Sequence, residues 1–209
     1  MAAMALRTTD APVPLGEYVP TSDRVVVMRD ITWTGFETLL ALRGERSRPK
    51  LAYLDGAVEL MATSFEHETI KSNVGRLVEA YCDEAGVDWS PKGNWTLLRK
   101  ARQVGAEPDE CYIFGRELRR DRPDLVIEVV WTHGGIDKLE IYRRLDIPEV
   151  WFWDNDAIGV HCLESGKYVT RDRSGFLPEL DLDLICRMAQ LHPTSEARRQ
   201  LIATLRGHS

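Results

Sequence analysis

Apolar positions recur along this chain with two periods, and the period changes at recognisable breaks. Over residues 32–42, Phe36, Leu39 and Leu40 fall on one side of a helix that Thr32 or Thr34 can cap. The stretch 50–62 reads KLAYLDGAVELMA, two apolar-rich runs that meet at Asp55-Gly56. That pair tolerates the positive φ of a type I′ turn, so the pattern predicts a β-hairpin. Alternation on its second strand sends Val58, Leu60 and Ala62 to one face, and Glu59 and Met61 to the other. The period then lengthens. From Ser64 to about residue 85, Ile70, Val74, Leu77, Val78 and Tyr81 form a stripe at three- and four-residue spacing. Ser64 can cap this helix, Glu66 and His67 stand in its first turn, and Gly86 ends it.

Shorter runs follow. Residues 87–98 predict one or two strands with Trp89 and Trp95 as bulk, and within 104–114, after Pro108-Asp109, Cys111, Tyr112, Ile113 and Phe114 favour a strand. A charged loop leads to Leu125–Val130, an aliphatic run interrupted only by Glu128. A Gly-Gly loop, a helix over 136–145 and an apolar strand over 150–153 come next. Strand, helix and strand in that order predict a right-handed parallel crossover. Residues 158–163 and 167–170 predict a hairpin; 180–191 fits neither period well; 194–205 predicts a terminal helix with Glu196 in its first turn. The chain therefore reads as mixed α/β (α+β), with a curved, mostly antiparallel mixed β-sheet flanked by helices. Residues 1–20, punctuated by Pro12, Pro14 and Pro20, read as a flexible tail, and 21–209 as a single domain that ends in a helix.

Composition narrows the function classes. The 209 residues are 44% hydrophobic and 29% charged, ordinary for a globular chain, and no apolar run is long enough to span a membrane. Four cysteines lie far apart without a CxxC pair, which argues against structural zinc or a disulfide framework and fits a reducing cytoplasm. The net charge of −6 argues against coating nucleic acid by bulk charge. Local contact stays open, because residues 92–122 carry eight Lys or Arg against five Asp or Glu. A solvated mixed-charge surface explains that segment equally well.

Glu128 is the position that asks for chemistry. An ionised carboxylate inside an apolar strand is costly unless a metal ion or a cation pairs with it. Lys138, ten residues on near the start of the next helix, is the nearest such cation. Asp109 opens the preceding strand, and Glu59 lies on the hairpin. Carboxylates that converge at one end of a sheet suit a hard divalent cation such as Mg2+. A lysine beside them suits phosphodiester hydrolysis, by orienting water or stabilising charge on a phosphate.

The order Pro108-Asp109, then Glu128 in Val-Ile-Glu-Val, then a lysine resembles the PD-(D/E)XK nuclease superfamily. More narrowly, the chain resembles the Uma-type putative restriction endonuclease family. The matching pieces are Asp55-Gly56 with Glu59, His67 opening a long helix, Glu107-Pro108-Asp109, Pro123-Asp124 running into Glu128, Asp137-Lys138 with Tyr142, and Pro148-Glu149-Val150-Trp151. The resemblance covers about residues 30–170 and implies a restriction-endonuclease-like fold. It further implies a metal-dependent endonuclease acting on DNA, with Mg2+ (or Mn2+) on Asp109, Glu128 and Glu59, Lys138 as the catalytic lysine and His67 lining the cluster. A homodimer would suit cleavage of both strands. Two departures stand out. The superfamily's lysine stands two residues after the glutamate, where this chain has Val130, and Trp131-Thr132-His133 replaces the Ser and Pro the family tends to carry.

Other readings stay open. Asp124, four residues before Glu128 and on the same strand face, could be the aspartate of the pair. Lys138 could serve only its helix neighbours. Trp151 and Trp153 read as core or interface aromatics, and His133 and His161 as surface residues. The site could also be retained in a catalytically silent protein with a DNA-binding, regulatory or dimerisation role, or act on a small phosphate or nucleotide.

Overall fold

The computed structural model describes residues 21–93, 95–117, 121–131 and 135–207, which form eleven β-strands and five α-helices. The expected tail, 1–20, lies outside the described residues, as does His133. The chain opens with β1 (Arg24–Met28) and α1 (Trp33–Arg43). Thr32 is the cap of α1, accepting from the Gly35 N–H at 3.2 Å. The hairpin follows as β2 (Lys50–Leu54) and β3 (Ala57–Ala62). Its turn has φ of 45° at Asp55 and 90° at Gly56, the left-handed values for which this pair is suited.

Helix α2 (Phe65–Ala85) starts on the Ser64 cap, which accepts from the His67 N–H, and stops at left-handed Gly86. Beyond it lie β4 (Trp89–Pro91), β5 (Leu97–Arg99), β6 (Val104–Ala106), β7 (Glu110–Phe114) and β8 (Leu125–Val130). Helix α3 (Lys138–Arg144) carries the chain over to β9 (Glu149–Asp154), which pairs parallel with β8 as expected. The hairpin β10 (Ala157–Glu164) and β11 (Lys167–Arg171) precedes α4 (Leu182–Ala189) and α5 (Thr194–Gly207). The stretch of uncertain period is thus helical, capped by Asp181 on the Leu184 N–H.

The strands divide between two sheets. One is antiparallel, in the order β1-β3-β2-β6-β5; the other is mixed, in the order β11-β10-β9-β8-β7-β4. The strand expected after Asp109 is β7, and a further strand, β6, precedes it in the other sheet. The chain leaves the first sheet after Ala106 and enters the second at Glu110. Glu107-Pro108-Asp109 is therefore the crossing between sheets, and Asp109 stands at their junction.

Three apolar clusters record the layering. Trp33 and Phe36 of α1 pack on Leu51, Tyr53 and Val58. The opposite face of that sheet, with Ala52 and Ala106, meets Cys111, Val126 and Val150 of the mixed sheet, together with Ile141 and Tyr142 of α3. The far face of the mixed sheet, including Ile127, Trp151 and Trp153, is covered by α2, α4 and α5. Both tryptophans are core, as their setting in an apolar strand implied. Each such buried large side chain contributes about 1.5–3 kcal/mol relative to an exposed one. Among the described residues no helix is long and apolar enough to cross a membrane. The alternation on β3 holds: Val58 faces α1, while Glu59 and Met61 line a cavity on the inter-sheet side.

Candidate active site

Each element delivers its polar residue for a local reason. On β8, Val126 faces the inter-sheet core and Ile127 the helical core, so alternation turns Glu128 between the sheets. Register places Glu59 of β3 beside Ala52 of β2, on that same inter-sheet face. Lys138 is the first residue of α3, whose Asp137 cap aims the helix start at the end of β8. Glu59, Glu128 and Lys138 all line a cavity of about 280 Å3, with Asp23, Met61 and Phe152 completing its wall.

Within the cavity wall, Lys138 Nζ lies 3.3 Å from Glu128 Oε2 and 3.8 Å from Glu59 Oε1. Tyr142, one helical turn on, donates its hydroxyl to Glu128 Oε1. Burial pushes the Glu128 carboxyl up, and the Lys138 ammonium beside it only partly counters that rise. Burial alone would lower Lys138, but Glu128, Glu59 and Asp109 around it hold it charged. The Glu59 carboxylate is fixed from its other side by the Ile136 N–H at 2.9 Å. That bond requires close backbone approach, and a Cβ on Gly135 would run into the same carboxylate. The second glycine of the Gly-Gly loop is thereby explained.

Asp109 and His67 belong to an adjoining buried chain. His67 is fully buried in the first turn of α2, with Nδ1 2.8 Å from Asp23 Oδ2 and Nε2 3.0 Å from Asp109 Oδ2. Lys50 Nζ lies 2.5 Å from Asp109 Oδ1 and donates to the Pro108 carbonyl at 2.9 Å. The Val129 N–H also donates to Asp109 Oδ2, at 2.8 Å. Burial opposes charge on Asp109, yet Lys50 and His67 together hold its carboxyl well below the usual carboxylate range. Burial would likewise lower His67, but its bonds to Asp109 and Asp23 raise it to about 9, so the imidazolium is the form present at neutral pH.

The five expected site residues thus gather around one inter-sheet region, Glu59, His67, Asp109 and Glu128 buried and Lys138 half-buried, but in two groups. Glu59, Glu128 and Lys138 face the cavity; Asp109 and His67 stand behind it, with each Asp109 oxygen already partnered. Asp124, the other candidate aspartate, accepts from the Phe114 N–H at 2.9 Å and does not line the cavity. His161 lies on β10, half-buried with its ring edge against Phe152. Two participants had not been expected, Asp23 and Lys50. Lys50 was detectable in principle: the hairpin register pairs it with Met61, on the face that carries Glu59.

Among the described residues no group of three or more His, Cys, Asp or Glu side chains is set around a common metal position. The donor chemistry nonetheless fits a hard cation in part. Glu59 and Glu128 present carboxylate oxygens to one cavity and share a single ammonium, leaving negative charge in excess there. Two carboxylates and several waters are the usual protein share of a magnesium site. Asp109 does not line that cavity in this arrangement, and Lys50 and His67 partner its oxygens.

A family model described as "Putative restriction endonuclease", Uma2, matches residues 36–192. Among solved structures, the chain is similar to one described as a "putative nuclease belonging to DUF820" from Anabaena variabilis. The two are 15% identical over 79% of this chain and 96% of that one, with a TM-score of 0.47, a likeness too loose to transfer residues. No curated protein matches the chain.

Proposed function

The chain belongs to the putative restriction endonuclease family Uma2, and from that premise we propose that it is a metal-dependent nuclease that hydrolyses DNA phosphodiester bonds at the Glu59–Glu128–Lys138 cavity. The observation that carries the reading is the pairing of buried Glu128 with half-buried Lys138 in the wall of a cavity that also holds Glu59. Glu59 and Glu128 would hold a magnesium or manganese ion. When bound, such an ion lowers the pKa of a coordinated water and offsets charge on the scissile phosphate.

The remaining work falls to the chain itself. Lys138, kept protonated by its carboxylate neighbours, supplies a fixed positive charge toward a phosphate oxygen in the transition state. A lysine reaching in from α3 does what one at position 130 would do, because from the first residue of that helix its ammonium reaches Glu128 Oε2 at 3.3 Å. Tyr142 and the Ile136 N–H fix the orientations of Glu128 and Glu59 before substrate arrives. The low local dielectric strengthens these electrostatic contacts.

The test is cleavage of plasmid DNA with Mg2+ or Mn2+ by the wild type and by Glu59→Gln, Glu128→Gln and Lys138→Met. The expected result is cleavage by the wild type and a loss of at least about 100-fold in each variant, the scale of removing a preorganised charge from a catalytic site. Undiminished cleavage in all three would place the chemistry elsewhere. A DNA-binding role without cleavage is the second reading, favoured by the internal partners that already occupy the oxygens of Glu128 and Asp109. Metal-independent mobility shifts with no cleavage under either ion would select it.

A further inference from the structure

Lys50 has no part in the reaction just described, yet its side chain is only 11% exposed and its ammonium is turned inward to Asp109. A lysine gives up its hydration and the freedom of a long side chain to sit there, so its partner must repay both. That partner is Asp109 Oδ1, at 2.5 Å. Asp109 in turn uses Oδ2 to accept the Val129 N–H, next in the chain to Glu128. The paired register of β7 and β8 ends at Glu110 opposite Ile127. The Asp109 side chain thus takes over where backbone pairing between these two strands stops, at the residues that carry the cavity carboxylate. From the other side His67 holds Asp109, and Asp23 holds His67 while also accepting the Ser64 N–H at 2.7 Å.

We infer that Lys50 and Asp23 are positioning residues of the cavity site. Through Asp109 and His67 they form a buried chain, Lys50–Asp109–His67–Asp23, that clamps β8 at Val129 and so sets where Glu128 presents its carboxylate. Asp109 is the anchor of this chain. The inference rests on the site assigned above but not on its activity. It calls for a positive charge at position 50 specifically, because a neutral side chain there leaves Asp109 with one cation in place of two, and the buried carboxylate must then take a proton or turn toward water, either of which weakens its bond from Val129.

The experiment is amide exchange of Val129 followed by NMR in the wild type, Lys50→Met, Lys50→Arg and Asp23→Asn. Ser174→Ala serves as a control for general loss of stability, since Ser174 binds the buried Glu149 well away from the cavity. The expected result is Val129 exchange about tenfold faster or more in Lys50→Met, a local opening beyond any change in the slowest core amides, with restoration in Lys50→Arg. Asp23→Asn, expected to accelerate the same amide, carries the comparison should Lys50→Met not fold. Val129 exchange that is unchanged in these variants, or that rises no more than in Ser174→Ala, overturns the inference. So does failure of Lys50→Arg to restore protection. Calorimetric Mn2+ titration of the wild type separates the two readings. Absence of Mn2+ binding would sink the nuclease assignment and leave the Val129 result to decide the clamp.

Discussion

Replacing His67 with glutamine should remove a pH dependence of stability whose size follows from its two carboxylate contacts. In the folded protein its imidazole lies between Asp23 and Asp109, fully buried, and its pKa rises from 6.5 to about 9. At 1.36 kcal/mol per pKa unit that rise is worth about 3 kcal/mol. Because the folded value lies above the free one, the stabilisation is whole below pH 6.5. It is lost as pH rises through about 9, where the folded imidazolium also gives up its proton. Urea denaturation of both proteins at pH 6, 7.5, 9 and 10 measures this directly. With a slope of about 2 kcal/mol/M, the wild-type midpoint should fall by about 1.5 M relative to the His67→Gln midpoint across that range. The difference between the two proteins is the quantity to read, since other groups titrate in both. Parallel curves from pH 6 to 10 would refute the reasoning. They would mean that the folded His67 pKa is not raised above its unfolded value and that the two carboxylates do not hold it charged.

Three further outcomes are expected. Lys138→Met leaves Glu59 and Glu128 without their shared ammonium and should cost about 3–5 kcal/mol near neutral pH, the scale of breaking a buried pair. Thermal melts at pH 7.5 and 5.5 should show a smaller loss at the lower pH, because burial already biases Glu128 toward taking a proton. Gly135→Ala should cost about 1–3 kcal/mol through the clash with Glu59, and a double-mutant cycle with Glu59→Ala should recover much of it. Tyr142→Phe should cost about 1–3 kcal/mol in urea denaturation, since it leaves Glu128 Oε1 without its donor in a buried setting.

The hairpin, α2 and the β8–α3–β9 crossover were legible because each is specified by local signals: a turn pair, a capped stripe, an apolar run followed by a short helix. Glu128 and Lys138 were legible together for a related reason, as a charge in an apolar strand with the next cation ten residues away. The division into two sheets was not. Apolar periodicity reports which way a side chain faces within one strand, and nothing in it assigns β6 and β7 to different sheets. Nor was β1, a five-residue edge strand whose three consecutive valines show no alternation. Lys50 and Asp23 stayed hidden because their partners are distant in sequence, 59 residues away at Asp109 and 44 at His67. A lysine opening a strand and an aspartate ahead of one are ordinary surface features until tertiary contact buries them. The family resemblance implied a metal on Asp109; the geometry around it adds two internal cations that the sequence did not reveal.

The most direct test of the assigned site is calorimetric titration with Mn2+ and Mg2+ of the wild type, Glu59→Gln, Glu128→Gln and Asp109→Asn. If Glu59 and Glu128 hold the ion, the wild type should bind, and either glutamine should weaken binding by at least about tenfold, the loss of one charged oxygen ligand. Asp109→Asn should retain some binding, lowered only as far as β8 loosens. Wild-type binding abolished by Asp109→Asn but untouched by Glu59→Gln would contradict the account and return Asp109 to the metal.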